Sequence, residues 1–284
     1  MGVAAYGKAI LGSMLTARRV KRESALPEPL KSEVVSTLFQ LSRMPRLPST
    51  ASVVGYQVLH RGDPYMRFLF NEIFVQACYF FQTENSRPVI FDCGSNIGMS
   101  ILFFKKLYPD AVITGFEPDP VTFDTLNTNV TRNALSNVTI HRLALGDRDE
   151  TRKFYRAAER DQSDLTMSTL KDRNSGSELT VECRRLSPFI VDEVDLLKID
   201  IEGAEHQVLL ELASSGKLQL IKKMHIEYHH HIAREEDTLS KTIRLLEDEG
   251  FGYQLKADSW PWPTPGFQDV SIYCYRKPKS ARSS

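Results

Sequence analysis

The stretch that decides the fold is VIFDCGSNIG, residues 89–98, in which a short apolar run ends at Asp92 and Gly94. Such a run is typical of a buried strand, and the apolar residues from Gly98 to Leu107 fit a helix. Glycines at a strand-to-helix turn allow positive φ angles and let a ligand approach the backbone closely. The stretch therefore predicts a strand, a ligand-binding turn and a helix in direct succession.

The same alternation of strands and helices continues through the rest of the chain. Further strands are predicted at AVITGFEPD, NVTIHRLALGD, VDLLKIDIEG and LIKKMHIEYHH, with helices between and after them at 120–133, 204–214 and 239–249. This pattern indicates a parallel sheet with helices on both faces. The closing strands, GYQLKA and DVSIYCYRK, have no helix between them and can pair antiparallel. We therefore expect an α/β, Rossmann-like fold with a mostly parallel seven-stranded sheet and a reversed last strand.

The N-terminal part of the chain shows a different pattern. Prolines in ESALPEPL and MPRLPST mark breaks, around which we predict a helix at 32–42, a strand at VVGYQVLH and a helix at 66–81. We expect residues 1–87 to form a helical cap on a main domain of residues 88–284. Within that domain, the polar residues 151–186 are predicted to be an insertion that carries short strands.

The composition limits the classes of partner. Lys and Arg together number 36, as do Asp and Glu, so the formal net charge is zero. Because phosphate contacts need basic residues, a nucleic-acid partner is not expected. A membrane span needs about 20 apolar residues, which no stretch supplies. The first 23 residues fit a helix packed on the main domain better than one that contacts a membrane surface.

The four cysteines are far apart in the sequence and form no CxxC pair: Cys78, Cys93, Cys183 and Cys274. Structural zinc sites need clustered ligand pairs, so none is predicted. Buried thiols in a reducing compartment are the simpler interpretation, which indicates a cytoplasmic protein. The oligomeric state does not follow from the pattern.

Glu117 ends the second predicted strand, 25 residues after Asp92. An acidic side chain at this place accepts hydrogen bonds from both hydroxyls of a ribose, which indicates a nucleoside-bearing cofactor. A dinucleotide would normally require GxGxxG, whereas this turn reads Gly94-Ser95-Asn96-Ile97-Gly98. The turn therefore favours S-adenosylmethionine, which carries no phosphate, over NAD.

A further pair of carboxylates follows the fourth predicted strand. Asp200 and Glu202 arrive at the carboxyl end of LLKIDIEG, where a carboxylate could hold a cationic head group or position an acceptor. Glu205 is better explained by the next helix, because negative charge stabilises a helix N-terminus.

Taken together, VIFDCGSNIGMS, GFEPDP, ALGD and LLKIDIEGAE resemble the FkbM family of S-adenosylmethionine-dependent methyltransferases, over roughly residues 88–255. The resemblance implies the class I methyltransferase fold and a small-molecule acceptor, with O-methylation of a hydroxyl on a natural product, sugar or lipid-linked glycan expected. It also implies the cofactor contacts. The complete predicted cofactor set is Asp92, Gly94, Ser95, Asn96, Gly98, Glu117 on the ribose, Pro118, Ala144 and Leu145 near the adenine, and Asp200.

The acceptor side is predicted from the fifth strand, MHIEYHHH. His225, Glu227 and His229 share one face of this strand. Two histidines and a carboxylate could bind a divalent metal, but we favour a metal-free site in which Glu227, His229 or His230 serves as the base. The predicted acceptor-side residues are Asp200, Glu202, Glu227, His229 and His230.

The loop SWPWPTPGF, which joins the last two strands, places two tryptophans among prolines. Exposed tryptophans are costly unless they cover something, so this loop is expected either to pack on the sheet or to contact the acceptor. Two other classes of protein stay open as alternatives: an NAD-linked oxidoreductase and a non-catalytic Rossmann-fold binding protein.

Overall fold

The computed structural model describes residues 3–156, 167–168, 178–230, 238–257 and 268–277. The N-terminal region contains helices and a hairpin: α1 (Val3–Glu23), α2 (Leu30–Ser42), β1 (Thr50–Val53), β2 (Tyr56–Leu59) and α3 (Asp63–Leu69). A π-helical segment, Phe70–Val75, continues α3. The helix predicted at 66–81 therefore ends earlier than expected.

The hairpin replaces the single strand predicted at VVGYQVLH. β1 and β2 pair antiparallel, with Val53 opposite Tyr56. Between them, Val54 and Gly55 have φ angles of 42° and 85°. A two-residue hairpin turn of this kind needs positive φ at both central positions. The chain reverses inside the apolar run, so the prediction of one strand was wrong.

The rest of the chain alternates strands and helices around a central group of extra strands. Before that group come β3 (Val89–Cys93), α4 (Met99–Leu107), β4 (Val112–Phe116), α5 (Pro120–Arg132) and β5 (Val138–His141). The group itself is β6 (Ala144–Leu145), β7 (Glu150–Arg156), β8 (Met167–Ser168) and β9 (Glu178–Arg184). After it come β10 (Leu196–Ile199), α6 (Glu205–Ser214), β11 (Lys223–His230), α7 (Leu239–Asp248), β12 (Phe251–Ala257) and β13 (Gln268–Arg276).

Seven strands form the central sheet in the order β12-β13-β11-β10-β3-β4-β5. The strands from β11 to β5 are parallel, whereas β13 is antiparallel to both β11 and β12. The predicted α/β, Rossmann-like fold with a reversed last strand is therefore confirmed. The strand order reverses between β3 and β10, and ligands of open α/β sheets bind outside the carboxyl ends of the strands at such a point.

Helices cover both faces of this sheet. Ile90 and Leu196 belong to a hydrophobic cluster that includes Val34 and Phe74 of the N-terminal region. Their neighbours Phe91 and Leu197 belong to a second cluster, which includes buried residues of α6 and α7. Successive strand residues point to opposite faces, so the two clusters are the two sides of one sheet. The N-terminal region therefore packs over one face of the sheet.

The extra strands form a second sheet of four strands, in the order β6-β9-β7-β8. β7 is antiparallel to β8 and β9, and β6 is parallel to β9. This sheet holds most of the described part of the predicted insertion at 151–186. The SWPWPTPGF loop lies outside the described residues, so its contact with an acceptor stays a prediction.

No helix among the described residues is both long and apolar enough to cross a membrane. All four cysteines are free thiols, and Cys93, Cys183 and Cys274 are buried.

Candidate cofactor and acceptor site

The turn after β3 has an unusual backbone. Gly94, Asn96 and Gly98 all have positive φ angles, of 86°, 50° and 90°. At Gly94 a Cβ atom would lie 1.8 Å from the carbonyl oxygen of Asp200, so only glycine fits between this turn and the end of β10. Asn96 tolerates the left-handed region, and its Oδ1 accepts a hydrogen bond from the N–H of Ile97 at 2.7 Å. The turn thus lies directly against the strand that carries Asp200.

A buried ionic group supports the turn from below. Asp92 is fully buried and accepts a hydrogen bond from Ser100 Oγ at 2.6 Å. The ammonium of Lys198 lies 3.3 Å from Asp92 and 3.4 Å from Asp200, and donates to the carbonyl oxygen of Gly94 at 2.6 Å. Burial alone would lower the pKa of Lys198, but the two carboxylates raise it above its usual value. Lys198 therefore stays charged and joins the strand ends to the turn.

Glu117 is buried where β4 ends. One of its carboxyl oxygens accepts the N–H of Asn96 at 3.0 Å, and the other accepts the N–H of Asp119 at 2.9 Å. Burial raises the pKa of Glu117 to about 8. Each carboxylate oxygen has a second lone pair, so both can also accept a hydroxyl. Glu117 thus has the chemistry that its predicted contact with a ribose requires.

A cavity of about 350 Å³ opens beside the turn. It is lined by the turn, by the ends of β10, β11 and β13, and by the N-terminal region. Residues predicted from the sequence that line it are Gly94, Ser95, Asn96, Asp200, Glu202, Glu227 and His229, and residues that the sequence did not indicate include Tyr65, Phe68, Glu72, Tyr79, Lys198 and Asp269. One cavity therefore brings the predicted cofactor turn and most of the acceptor-side residues together.

His229 lies among carboxylates. Its Nδ1 is 2.8 Å from Glu205, and its Nε2 is 3.2 Å from Glu202 and 3.8 Å from both Asp200 and Asp269. Burial alone would lower the pKa of His229, but Glu205, Glu202 and Asp200 raise it to about 10. Without a bound cation, the imidazole is thus protonated at neutral pH and donates hydrogen bonds rather than accepting a proton.

Three other carboxyl groups of the cavity, those of Asp200, Glu227 and Glu72, have pKa values shifted in different directions. Burial alone would raise the pKa of Asp200, but the charges of Lys198 and His229 lower it, so Asp200 is ionised. Burial, with Asp200 adding to it, raises the pKa of Glu227 well above its usual value and that of Glu72 to about 7. The cavity therefore places the ionised carboxylate of Asp200 beside two carboxyl groups, those of Glu227 and Glu72, whose pKa is raised.

Several predicted residues do not line this cavity, among them Asp92, Gly98 and Glu117. Pro118 lines a separate cavity of about 580 Å³ together with His141. Ala144 and Leu145 are buried in β6. His230 alternates with His229 along β11 and so points to the other face, where its ring lies 6.0 Å from that of Tyr228. Their roles stay predictions.

His225 shares the face of Glu227 and His229, as predicted, but it does not line the cavity. The rings of Tyr79 and Tyr273 lie 4.9 Å and 4.7 Å from its imidazole. Burial lowers the pKa of His225 to about 3, so the ring is neutral. His225 is therefore not among the three neighbouring groups that could hold a metal ion, which are Asp200, Glu227 and His229.

Comparisons with known proteins show the family to which the chain belongs. The model of the methyltransferase FkbM domain matches residues 92–255. Methyltransferase 1 of Beauveria bassiana is 29% identical, covering 73% of this chain and 88% of the relative. Methyltransferase sdnD of Sordaria araneosa is 30% identical, covering 68% and 85%. The 31-O-demethyl-FK506 methyltransferase FkbM of Streptomyces tacrolimicus is 29% identical, covering 80% and 93%. The chain belongs to the FkbM family of S-adenosylmethionine-dependent methyltransferases.

Proposed function

We propose that this methyltransferase transfers the methyl group of S-adenosylmethionine to a hydroxyl of a small-molecule acceptor. The observation that carries the proposal is that the turn Gly94–Asn96 and the carboxylates of Asp200 and Glu227 open into the same cavity. The names of two relatives point to oxygen as the acceptor atom. One is the 31-O-demethyl-FK506 methyltransferase, and the other is the 2-O-methyltransferase NoeI of Sinorhizobium fredii.

The cofactor would extend along the carboxyl ends of the strands. Its methionine part would lie over the turn and beside Asp200, and its ribose hydroxyls would donate to Glu117. Its adenine would lie toward Pro118 and the Ala144–Leu145 strand. Asp92 would support the turn from below, because its side chain is fully buried. In this order the sulfonium methyl would lie at the cavity that Glu227 and His229 line.

Methyl transfer is a direct displacement. The acceptor oxygen attacks the methyl carbon in line with the sulfonium, so the O–C bond forms while the S–C bond breaks. The electron pair of that bond stays on sulfur, which becomes a neutral thioether, and the hydroxyl proton passes to a carboxylate of the cavity. Alignment and exclusion of water are the protein's main contributions. The predicted acceptor-side residues that line the cavity are Asp200, Glu202, Glu227 and His229.

The direct test is transfer of an isotope-labelled methyl group to a panel of hydroxylated macrolides, sugars and polyketides. We expect label in one acceptor class together with an equal amount of S-adenosylhomocysteine. Mass spectrometry of the product would locate the methyl on oxygen. Label on nitrogen or carbon would contradict the assignment of oxygen while leaving the methyltransferase class intact.

Cofactor affinity should depend on pH through Glu117. The ribose hydroxyls bind its ionised form, and with a pKa of about 8 the ionised fraction rises from about 0.1 at pH 7 to about 0.9 at pH 9. Glu117→Gln removes this titration. We therefore expect the ratio of wild-type to Glu117→Gln affinity for S-adenosylmethionine to rise about tenfold over this range.

Isothermal titration calorimetry at each pH measures both affinities. Taking the ratio cancels the titration of the cofactor's own amino group, whose pKa is about 8. Asp124→Ala, an exposed acidic residue of α5, serves as the control. A ratio that stays constant from pH 7 to pH 9 would show that Glu117 does not titrate against cofactor binding.

A further inference from the structure

His229 is held in one orientation, with its Nε2 toward the cavity. Its Nδ1 lies 2.8 Å from the buried carboxylate of Glu205. Glu205 is itself fixed, because it accepts the N–H of Gly203 at 2.9 Å and that of Ile201 at 3.3 Å. Metal-binding histidines almost always donate their other ring N–H to such a carboxylate or carbonyl, which sets both the tautomer and the ring orientation.

Two carboxylates approach the same space. One oxygen of Asp200, one oxygen of Glu227 and one ring nitrogen of His229 all lie within 4.8 Å of one another. Asp200 follows β10, and the other two lie on the neighbouring strand β11, two residues apart. Three ligand atoms on adjacent strands of a rigid sheet form a set that is preorganised before any cation binds.

Glu227 supplies an independent observation. It is half-buried and lines the cavity, yet it has no hydrogen-bond or ion-pair partner within the part of the chain that the structure describes. A carboxyl group that faces a narrow cavity without a partner loses part of its hydration without replacement, which is unfavourable. A cation between Glu227, Asp200 and His229 would supply the partner.

We propose that Asp200, Glu227 and His229 bind a divalent metal cation at the acceptor end of the cavity. The proposal rests on the methyl-transfer function and adds to it how the acceptor oxygen is held. It also revises our sequence-based preference for a metal-free site. One imidazole with two carboxylates is a mixed nitrogen–oxygen set, which suits Mn²⁺, Fe²⁺ or Zn²⁺ better than the all-oxygen preference of Mg²⁺ or Ca²⁺.

The cation would have a specific part in the reaction. An acceptor hydroxyl that binds beside the three ligands in the cavity would become more acidic through the cation. The hydroxyl proton would pass to Glu72, which lines the same cavity and lies outside the ligand set. The acceptor oxygen would then attack the sulfonium methyl, and the electron pair of the broken S–C bond would stay on sulfur.

The test is binding of Mn²⁺ to the metal-depleted full chain, followed by electron paramagnetic resonance. We expect one saturable Mn²⁺ per chain, displaced by Zn²⁺. Glu227→Gln and His229→Ala should each weaken binding at least about tenfold, and Glu205→Gln about ten- to hundredfold through the orientation of His229. His206→Ala, on α6 beside Glu205, is the control and should bind like the wild type.

Calorimetric binding of S-adenosylmethionine to each variant shows whether it is folded. Glu227→Gln keeps the side-chain volume, so it remains informative if His229→Ala unfolds. No saturable Mn²⁺ in the wild type, or wild-type affinity in Glu227→Gln, would overturn the metal site. Because this measurement needs no acceptor, saturable Mn²⁺ without methyl transfer to any hydroxyl would instead count against the proposed function alone.

Discussion

Gly94→Ala is expected to lower the free energy of unfolding by at least about 3 kcal/mol and to abolish cofactor binding. The new Cβ would lie 1.8 Å from the carbonyl oxygen and 2.9 Å from the carbonyl carbon of Asp200. Neither atom can move alone, because the Asp200 N–H donates to the carbonyl of Cys93 in the adjacent strand. The turn and the end of β10 must therefore separate. Urea denaturation measures the change.

Gly216→Ala is the matched control for this variant. Gly216 also has a positive φ angle, of 72°, but a Cβ there would meet nothing within 4 Å. Its cost is that of the backbone conformation alone, about 1–2 kcal/mol. The difference between the two variants isolates the close approach of the turn to β10. Equal losses of stability in both would contradict the packing described at Gly94.

Asp200→Asn is expected to reduce the rate of methyl transfer by about 10²- to 10⁴-fold. Asp200 is an ionised carboxylate of the cavity, between the ammonium of Lys198 at 3.4 Å and the imidazolium of His229 at 3.8 Å. Asparagine keeps the size of the side chain but removes the charge. Without that charge, the proton of the acceptor hydroxyl is removed less readily. This holds whether a carboxylate of the cavity takes up the proton directly or a bound cation makes the hydroxyl more acidic.

The variant should remain folded, since Lys198 keeps its contact with Asp92. We expect its affinity for S-adenosylmethionine to fall less than the rate of transfer does, so single-turnover kinetics with saturating cofactor separate the two effects. Asp192→Asn, an exposed residue before β10, is the control. A single-turnover rate within about tenfold of the wild type, below the range expected for acid–base residues, would remove Asp200 from the acceptor chemistry.

The sheet could be predicted from local patterns. The strands β3, β4 and β10 are short, mainly apolar runs that are followed by a polar or glycine residue, and helices separate the parallel strands as expected. The reversal at Val54 and Gly55 could not be predicted in this way, because neither side of the turn breaks the apolar run. The π-helical segment Phe70–Val75 could not be predicted either, because the spacing of its apolar residues is that of an ordinary helix.

The sequence motifs predicted the residues of the site that lie within them. Gly94, Asn96 and Glu117 stand at the ends of strands, where the topology alone brings them together. The buried ion pairs of Lys198 could also be predicted from the sequence, because a lysine between apolar residues of a buried strand needs a charged partner. Glu205 was predicted to stabilise the helix terminus. Glu205 does accept an N–H group just before α6, but its carboxylate also orients His229.

The contribution of the N-terminal region could not be predicted from local sequence. Tyr65, Glu72 and Tyr79 reach the cavity through packing across the sheet, over a separation of more than a hundred residues from Asp200. Glu72 stands in an apolar helical run, where a single acidic residue has the appearance of a surface position. Only the packing of the N-terminal region over one face of the sheet places its carboxyl group in the cavity.

The most direct test of the central claim is calorimetric titration of the wild type and Glu117→Ala with S-adenosylmethionine and, separately, with NAD. At pH 9, where Glu117 is largely ionised, we expect saturable binding of S-adenosylmethionine to the wild type and no response to NAD. Binding to the variant should be at least about tenfold weaker, because two hydrogen bonds to a charged group are lost. A folded wild type that binds NAD, or that does not bind S-adenosylmethionine, would contradict the assignment of this cavity as a methyltransferase site.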